Sequence, residues 1–235
     1  MGSMYAKDLV DLANEQIDYQ ADGKYNKYAE ELDNINYFNM GAKNGVADWC
    51  AIFFCWLAYR SAIPDPDKWD AHYFLFQPDK GENLAASCGW AAQYYMDNDA
   101  WTDNPERGDQ VFFKKSNGVY YHTGIVVDWN ESGIYTVEGN TNGGKVAKKF
   151  YSYDDPKIAG YGRPRYDGWE ISEKPSEPSQ ETPATDYSEI IDRLAHEVIE
   201  GKYGNYPLRK QRINALGYGV IYGYVQKRVN ELLYG

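Results

Sequence analysis

The stretch ADWCAIFFCW, residues 47–56, predicts a helix that is apolar on every side but carries a carboxylate and a thiol at its front edge. Asp48 is a preferred N-cap residue, and Pro64 would stop the helix that we predict from Trp49 to about residue 62. At helical rise and twist, the thiols of Cys50 and Cys55 point apart and lie beyond the reach of a disulfide. The two thiols therefore need separate explanations.

The position of Cys50 is that of a nucleophile. A thiol in the first turn of a helix faces unpaired backbone N–H groups and the positive end of the helix dipole, and both stabilise a thiolate. The same N–H groups can donate to the oxyanion that forms when a thiolate attacks a carbonyl group. Cys55 lies deeper among Phe54, Trp56 and Leu57, which is the position of a small core residue.

A nucleophilic cysteine needs a base, and the base needs a group that orients it. His196 belongs to a tail helix without a second metal-binding histidine, and His72 lies in a segment that we predict to be irregular. His122 enters a strand whose hairpin partner carries Glu138 and Asn140. If the turn pairs His122 with Asn140, Glu138 lies two residues along on the same face, and either residue could orient the imidazole. A slip of one residue would turn His122 to the other face.

The order of the patterns indicates an α+β fold. Helical patterns occupy residues 5–17 and the region around residues 88–96, whereas strand patterns occupy residues 104–113, 119–129, 133–140 and 158–164. Helices followed by a run of strands predict an antiparallel sheet with helices packed against it.

A change of composition divides the chain into two modules. Residues 172–186, SEKPSEPSQETPATD, hold no large apolar residue and read as a semi-extended linker. We therefore predict a catalytic domain over residues 1–168, a flexible linker over 169–186 and a small all-α three-helix bundle over 187–235. The second helix of the bundle is predicted from Pro207 to Gly217.

Composition excludes several classes of protein. The net charge is -11, from 24 basic and 35 acidic residues, which is unsuited to nucleic-acid binding. No run of about 18 apolar residues occurs, so we expect no membrane span. Three cysteines argue against a disulfide scaffold. The 23 Tyr and 7 Trp fit carbohydrate or other flat ligands, but they fit a tyrosine-rich core equally well.

Four segments in sequence order resemble a known family. DWCAIFFCWLA, PERGDQVFFK, YYHTGIVVD and YTVEGNT are similar to the cysteine- and histidine-dependent amidohydrolase/peptidase family, CHAP, of papain-like peptidoglycan hydrolases. The resemblance covers roughly residues 5–166. It implies that Cys50 is the nucleophile, His122 the general base, Glu138 the orienting acid and Asn140 the family's frequent fourth polar residue. An NlpC-type cell-wall peptidase and a catalytically inactive wall-binding protein are the alternatives.

The tail resembles a second family. IIDRLAHEVIEGKYGN, RKQRINALGY and VQKRVNELL are similar to a cell-wall-binding repeat at the C-terminus of certain phage lysozymes and endolysins. Tyr203, Arg209, Arg212 and Gly217 match its motif best, and forked arginine donors suit the carboxylates and carbonyls of a muropeptide. A small helical domain that serves only oligomerisation is the alternative.

Together the resemblances imply a phage endolysin or a related bacterial hydrolase whose partner is peptidoglycan. No charged-then-apolar leader opens the chain, so we expect synthesis in the host cytoplasm without a signal peptide and action on the cell wall. The sequence leaves the cleaved bond open, since an N-acetylmuramoyl–L-alanine amidase and an endopeptidase both cleave amides. It also leaves the oligomeric state open.

One loop partly imitates a calcium site. Asp18, Gln20 and Asp22 stand at alternate positions in DYQADGKYN, residues 18–26. Ala29 occupies the position that should supply a bidentate glutamate, although Glu30 is next to it. Some members of the CHAP family bind calcium near the N-terminus, but a solvated polar loop is the reading that we favour. We expect no required cofactor.

Overall fold

The computed structural model describes residues 2–38, 44–79, 82–169, 188–204, 208–213, 216, 218, 225, 228–229 and 231–233. Contacts between Cα atoms divide the chain into two compact units, Met1–Ser172 and Glu173–Gly235. The described strands all belong to the first unit.

Five helices of the first unit surround one apolar core. They are α1 (Ala6–Glu15), α2 (Lys27–Asn34), α3 (Cys50–Arg60), α4 (Lys68–Phe74) and α5 (Cys88–Met96). The sequence patterns predicted α1, α3 and α5 but missed α2 and α4. A signal for both was present, because Asn26 accepts a hydrogen bond from Ala29 N and Asp67 accepts one from Trp69 N, as N-cap residues do.

The predicted cap of α3 is wrong. Trp49 is the N-cap residue and makes no side-chain cap hydrogen bond, and the helix begins at Cys50. The carboxylate of Asp48 instead points outwards, 3.2 Å from Lys24 Nζ and 3.5 Å from Asn140 Nδ2. The helix also ends at Arg60, slightly earlier than predicted. The first backbone N–H groups of α3 therefore have no capping side chain of their own.

A six-stranded antiparallel sheet follows the helices, in the order β1-β6-β2-β3-β4-β5. Its strands are β1 (Trp101–Thr102), β2 (Gln110–Lys114), β3 (Tyr120–Trp129), β4 (Gly133–Thr141), β5 (Lys145–Ser152) and β6 (Ile158–Gly162). The mixture of helices and antiparallel sheet confirms the α+β class. The sequence analysis missed β1 and β5, the two edge strands, and β5 carries the lysines typical of an edge.

Each face of the sheet is covered. Phe112, Ile125 and Val137 pack into the main core with the helices. Residues that alternate with them, Val111 and Val126 among others, form a second cluster on the opposite face. The described helices of the first unit therefore pack against one face of the sheet, and the second face carries its own small core.

The end of the first unit is tied to its beginning. Asp167 N donates to Met4 O at 2.9 Å, and Asp167 Oδ2 accepts from Met4 N at 2.8 Å. Ala6 N donates to Gly168 O at 3.0 Å. The folded unit therefore extends past residue 166, where the family resemblance ended.

The second unit contains α6 (Ser188–Ile199) and α7 (Leu208–Ile213). Gly201, two residues after α6, has a φ of 80°, the left-handed conformation that commonly ends a helix. The core of this unit comprises Leu194, Ala195, Val198, Tyr203, Ile213, Val225 and Val229. The linker, apart from Trp169, lies outside the described residues, as do Pro207, Gly217 and much of the third helix, so the three-helix bundle stays a prediction. Among described residues, no helix has the length and apolar character needed to cross a membrane.

Candidate active site

A glycine brings the start of α3 onto strand β4. A Cβ atom built at Gly139 would lie 2.7 Å from Phe53 Cβ and 2.8 Å from Trp49 Cζ3, closer than any side chain allows. The absence of a side chain at Gly139 lets the first turns of α3 pack directly on the strand. Cys50, the first residue of α3, consequently lies beside the polar residues of β3 and β4.

His122 and Glu138 form a hydrogen-bonded pair across these two strands. His122 Nε2 lies 2.9 Å from Glu138 Oε2, and the side chains are 16% and 1% exposed. Thr136 Oγ1 donates to the other carboxylate oxygen at 2.7 Å. A Cβ atom at Gly124 would lie 2.6 Å from Glu138 Cγ. The glutamate side chain therefore fits here because residue 124 has no side chain. Sequence analysis did not identify Thr136 or Gly124.

The two predicted orienting residues differ in their contacts. The observed pairing of β3 with β4 reaches Ile125 and Val137 but not the site, so the pairing of His122 with Asn140 stays a prediction. Asn140 has a φ of 55°, and its Nδ2 lies 3.5 Å from Asp48 Oδ1. Glu138 rather than Asn140 therefore contacts the imidazole, while Asn140 lies at the rim beside Asp48.

Aromatic rings hold the imidazole in place. Phe113 lies on strand β2 directly opposite His122, with ring centroids 5.7 Å apart and the planes nearly parallel. Tyr121 stacks in the same manner with centroids 6.2 Å apart. The packing restricts rotation of the ring and so maintains the contact of Nε2 with Glu138.

The charges at the site favour a thiolate and an imidazolium. A hydrogen bond from Cys88 lowers the pKa of Cys50; burial opposes this, but the hydrogen bond and charge of His122 and a backbone hydrogen bond from Ala51 bring the pKa to about 5. Burial lowers the pKa of His122, but hydrogen bonds to Cys50 and Glu138 outweigh it and raise the pKa to about 9. Between these values the pair is a thiolate beside a protonated base.

A second thiol, missed by sequence analysis, borders the nucleophile. Cys88 is the first residue of α5, and its Sγ lies 3.5 Å from Cys50 Sγ. The hydrogen bond to Cys50, followed by burial, raises the pKa of Cys88, so this thiol is the donor of the pair. The sequence predicted a helix here, but no spacing rule connects residues 50 and 88.

Cys55 has the environment of a core residue, in agreement with its predicted placement. It is 1% exposed and belongs to the main apolar cluster. Gln77 Nε2 donates to its Sγ at 3.3 Å, but burial is the larger effect and raises the pKa of the Cys55 thiol to about 12. The Cys55 thiol is therefore protonated at neutral pH.

The other two histidines have different surroundings. The prediction that His72 occupies an irregular segment is wrong, because His72 lies in α4, with its Nε2 3.0 Å from Tyr37 O and 3.2 Å from Asn83 Nδ2. Burial lowers its pKa to about 4, which keeps the ring neutral. His196 is exposed on α6, with its Nδ1 2.8 Å from Asp192 O.

The loop of residues 18–26, which resembles a calcium site, is hydrogen-bonded to the turn between β4 and β5. Gln20 Nε2 lies 3.2 Å from Gly143 O and 3.3 Å from Gly144 O, in the turn between β4 and β5. These hydrogen bonds account for the position of the Gln20 side chain without a bound ion. Calcium binding by Asp18, Gln20 and Asp22 stays a prediction.

The predicted wall-binding residues of the tail occupy different environments. Tyr203 is 6% exposed, packs in the core of the second unit and donates its hydroxyl hydrogen to Glu197, which favours a structural role. Arg209 Nε donates to Gly204 O at 3.2 Å, and Arg212 is exposed and also approaches Gly204. Gly217 lies outside the described residues.

A cleft of about 680 Å³, lined mostly by residues with charged side chains, lies along α6. Its lining comprises Ser188, Glu189, Ile191, Asp192, Arg193, Arg228 and Glu231. Arg228 Nε donates to Asp192 Oδ1 at 2.8 Å, so charged residues of both signs face this space. The cleft is a second location, besides the surface around Gly204, where a polar ligand could contact the tail.

Comparison with known families identifies both units. Residues 41–140 match the CHAP domain, and residues 192–233 match the CW_7 repeat. The CHAP domain indicates a hydrolase that acts on peptidoglycan, and the CW_7 repeat is a cell-wall-binding repeat. The chain therefore carries a CHAP domain followed by a CW_7 repeat, which confirms both resemblances. No curated protein and no solved structure matches the chain.

Proposed function

We propose that this protein hydrolyses an amide bond in the stem peptide or cross-bridge of peptidoglycan through a thiol mechanism. The observation that carries the proposal is the hydrogen bond of 2.9 Å between His122 and the buried carboxylate of Glu138, beside the Cys50 thiol, whose pKa His122 helps to lower. A nucleophile, a base and an orienting carboxylate in this sequence of contacts are the parts of a covalent acyl-transfer site. An intact set of three argues against an inactive wall-binding protein.

In the first half of the reaction, the Cys50 thiolate attacks the carbonyl carbon of the amide. Negative charge moves to the carbonyl oxygen, where the uncapped N–H groups of the first turn of α3 can stabilise it. His122 gives its proton to the leaving nitrogen, the C–N bond breaks and an acyl-enzyme remains. In the second half, neutral His122 takes a proton from water, the water oxygen bonds to the acyl carbon, and the C–S bond breaks, which releases the carboxylic acid and regenerates the Cys50 thiolate.

Glu138 is the residue that we assign to orientation of His122. Its buried carboxylate accepts from the imidazole at 2.9 Å and is itself held by Thr136 at 2.7 Å. A carboxylate fixed in this manner selects one tautomer and stabilises the imidazolium. Asn140, at the rim beside Asp48, is better placed to contact substrate than to orient the base.

The combination of a CHAP domain with a wall-binding repeat supports an endolysin-type enzyme, of phage or related bacterial origin, that lyses cells from the wall. We propose that the tail raises the local concentration of the catalytic unit at its substrate. Synthesis in the host cytoplasm and action on the wall belong to the same proposal.

The bond cleaved can be tested on purified peptidoglycan. We expect free amino groups to appear during digestion while the number of reducing sugar ends stays constant, because an amide is hydrolysed and a glycosidic bond is not. Mass spectrometry of the fragments would then distinguish an amidase, which releases stem peptides beginning with L-alanine, from an endopeptidase. A muramidase digest serves as the control for reducing ends. New reducing ends with the protein alone would contradict the proposal.

The role of the tail can be tested by truncation. A chain that ends at Ser172 keeps the pairing of Asp167 and Gly168 with the N-terminal segment, so we expect it to remain folded. It should cleave soluble muropeptides at nearly the parental rate but lyse intact cells about tenfold or more slowly, because it has lost its anchor. Equal lysis of intact cells by both proteins would show that the tail is a spacer or an assembly device.

Two charge-matched variants extend this test to the location of the wall contact. Arg209→Ala removes a cation beside Gly204, whereas Arg193→Ala removes one from the cleft along α6. We expect sedimentation with purified walls to be weakened by Arg209→Ala and retained by Arg193→Ala. The reverse result would move the contact to the cleft.

A further inference from the structure

Two thiols meet at the nucleophile, and the proposed function uses only one of them. Cys50 and Cys88 are the first residues of α3 and α5, so two helix N-termini converge on one pair of sulfur atoms. The sulfurs are 3.5 Å apart, about 1.5 Å more than a disulfide bond requires. Rotation about the two Cα–Cβ bonds is the motion that would bring them closer.

The surroundings of Cys88 differ from those of a cysteine that only fills space. Cys55 belongs to the main apolar core, whereas Cys88 belongs to a small separate cluster with Cys50, Ala51 and the partly buried Tyr120. Cys88 is 8% exposed and Cys50 is 4% exposed, so small solutes that reach the nucleophile come close to both sulfurs. Cys88 therefore belongs to the surroundings of the nucleophile and not to the main apolar core.

We propose that Cys88 is the resolving thiol of Cys50 and that a disulfide between them reversibly switches the enzyme off under oxidation. The inference rests on the proposed role of Cys50 as the nucleophile. A thiolate that is reactive towards carbonyls is also oxidised readily, and without a nearby thiol its oxidation continues to sulfinic and sulfonic acids, which are irreversible. A second thiol at 3.5 Å intercepts the first oxidation product.

The reaction with a peroxide balances in two steps. The Cys50 thiolate attacks one oxygen of hydrogen peroxide, an S–O bond forms, the O–O bond breaks, and the released hydroxide takes up a proton to become water. The sulfur is oxidised by two electrons and the peroxide is reduced. The sulfur of Cys88 then attacks the sulfenic sulfur, an S–S bond forms, the S–O bond breaks, and the hydroxyl leaves as water with the proton of Cys88. A dithiol such as dithiothreitol reverses the disulfide by exchange.

The test compares the full-length parent with Cys88→Ala, Cys88→Ser and the control variant Cys55→Ser. Each protein is treated with hydrogen peroxide, quenched with catalase and assayed on purified peptidoglycan before treatment, after treatment and after dithiothreitol. Activity is expressed relative to the same protein before treatment, so a change in basal rate does not affect the comparison. Peptides from unreduced, alkylated samples are mapped by mass spectrometry in parallel.

We expect the parent and Cys55→Ser to lose activity, to yield a cross-linked peptide that joins residues 50 and 88, and to recover most of their activity with dithiothreitol. Both Cys88 variants should lose activity without recovery and carry two or three added oxygens on Cys50. Recovery of the Cys88 variants to the parental extent, or a parent without the cross-link, would overturn the proposal while leaving the hydrolase function standing. A fully cross-linked parent that retains activity would overturn the switch and the assignment of Cys50 together.

Discussion

Replacement of Cys50 by alanine is expected to lower the rate of peptidoglycan hydrolysis by about 10⁴-fold or more, because it removes the atom that forms the covalent intermediate. The expected loss lies in kcat, since the subsites that bind the wall peptide are unchanged. The measurement is the release of free amino groups from purified peptidoglycan, accompanied by a thermal melt that checks the folding of the variant.

Cys55→Ser is the matched control for this variant. Cys55 lies on the same helix, but its sulfur faces Gln77 in the core, and the serine hydroxyl can accept the same hydrogen bond. We expect this variant to lose some thermal stability and to retain most of its activity. An active Cys50→Ala variant, or an equal loss of activity in both variants, would refute Cys50 as the nucleophile.

The second large effect is expected at Glu138. Glu138→Gln keeps the shape of the side chain but removes the charge that stabilises imidazolium, and we expect a loss of about 10³- to 10⁴-fold, similar to that seen when the orienting acid of a serine triad becomes an amide. Glu138 is one of the groups that raise the pKa of His122 to about 9, so the variant should have a lower His122 pKa. Because His122 must be protonated to release the amine, the alkaline limb of the kcat/KM profile should move to lower pH.

The variant Asn140→Gly tests which residue orients His122, a choice between Glu138 and Asn140 that the sequence left open. The backbone of Asn140 has a φ of 55°, which glycine adopts without strain, so the substitution removes the side chain alone. Since the amide contacts Asp48 rather than His122, we expect less than about a tenfold loss and an unchanged alkaline limb. A larger loss in Asn140→Gly than in Glu138→Gln would reverse the assignment.

The sequence predicted the elements whose signals are local. The apolar run after Cys50 marks α3, and the alternation around His122 marks β3. The edge strand β5 was missed because its lysines conceal its alternation, and α2 and α4 were missed because both are short. The wrong cap at Asp48 shows that a preferred residue type does not determine a cap when another charge, here Lys24, attracts the side chain.

The remaining parts of the site depend on contacts between distant segments. Cys88 approaches Cys50 because α3 and α5 begin beside each other, and nothing in the sequence of either helix specifies that contact. Gly124 and Gly139 matter because a side chain at either position would collide with a neighbour. The neighbour is Glu138 at Gly124 and Phe53 at Gly139. A glycine in a strand pattern marks a close approach but does not name the group that approaches.

The hydrogen bonds between Met4 and Asp167 place the entry and the exit of the catalytic unit side by side. A short peptide could therefore join these two ends, and new termini could be opened in an exposed turn such as the one around Gly118. The same adjacency means that a binding module fused before the first helix would begin its tether at nearly the point where the natural tail begins. We therefore expect the first unit to accept a binding module at either end of a chimaeric protein.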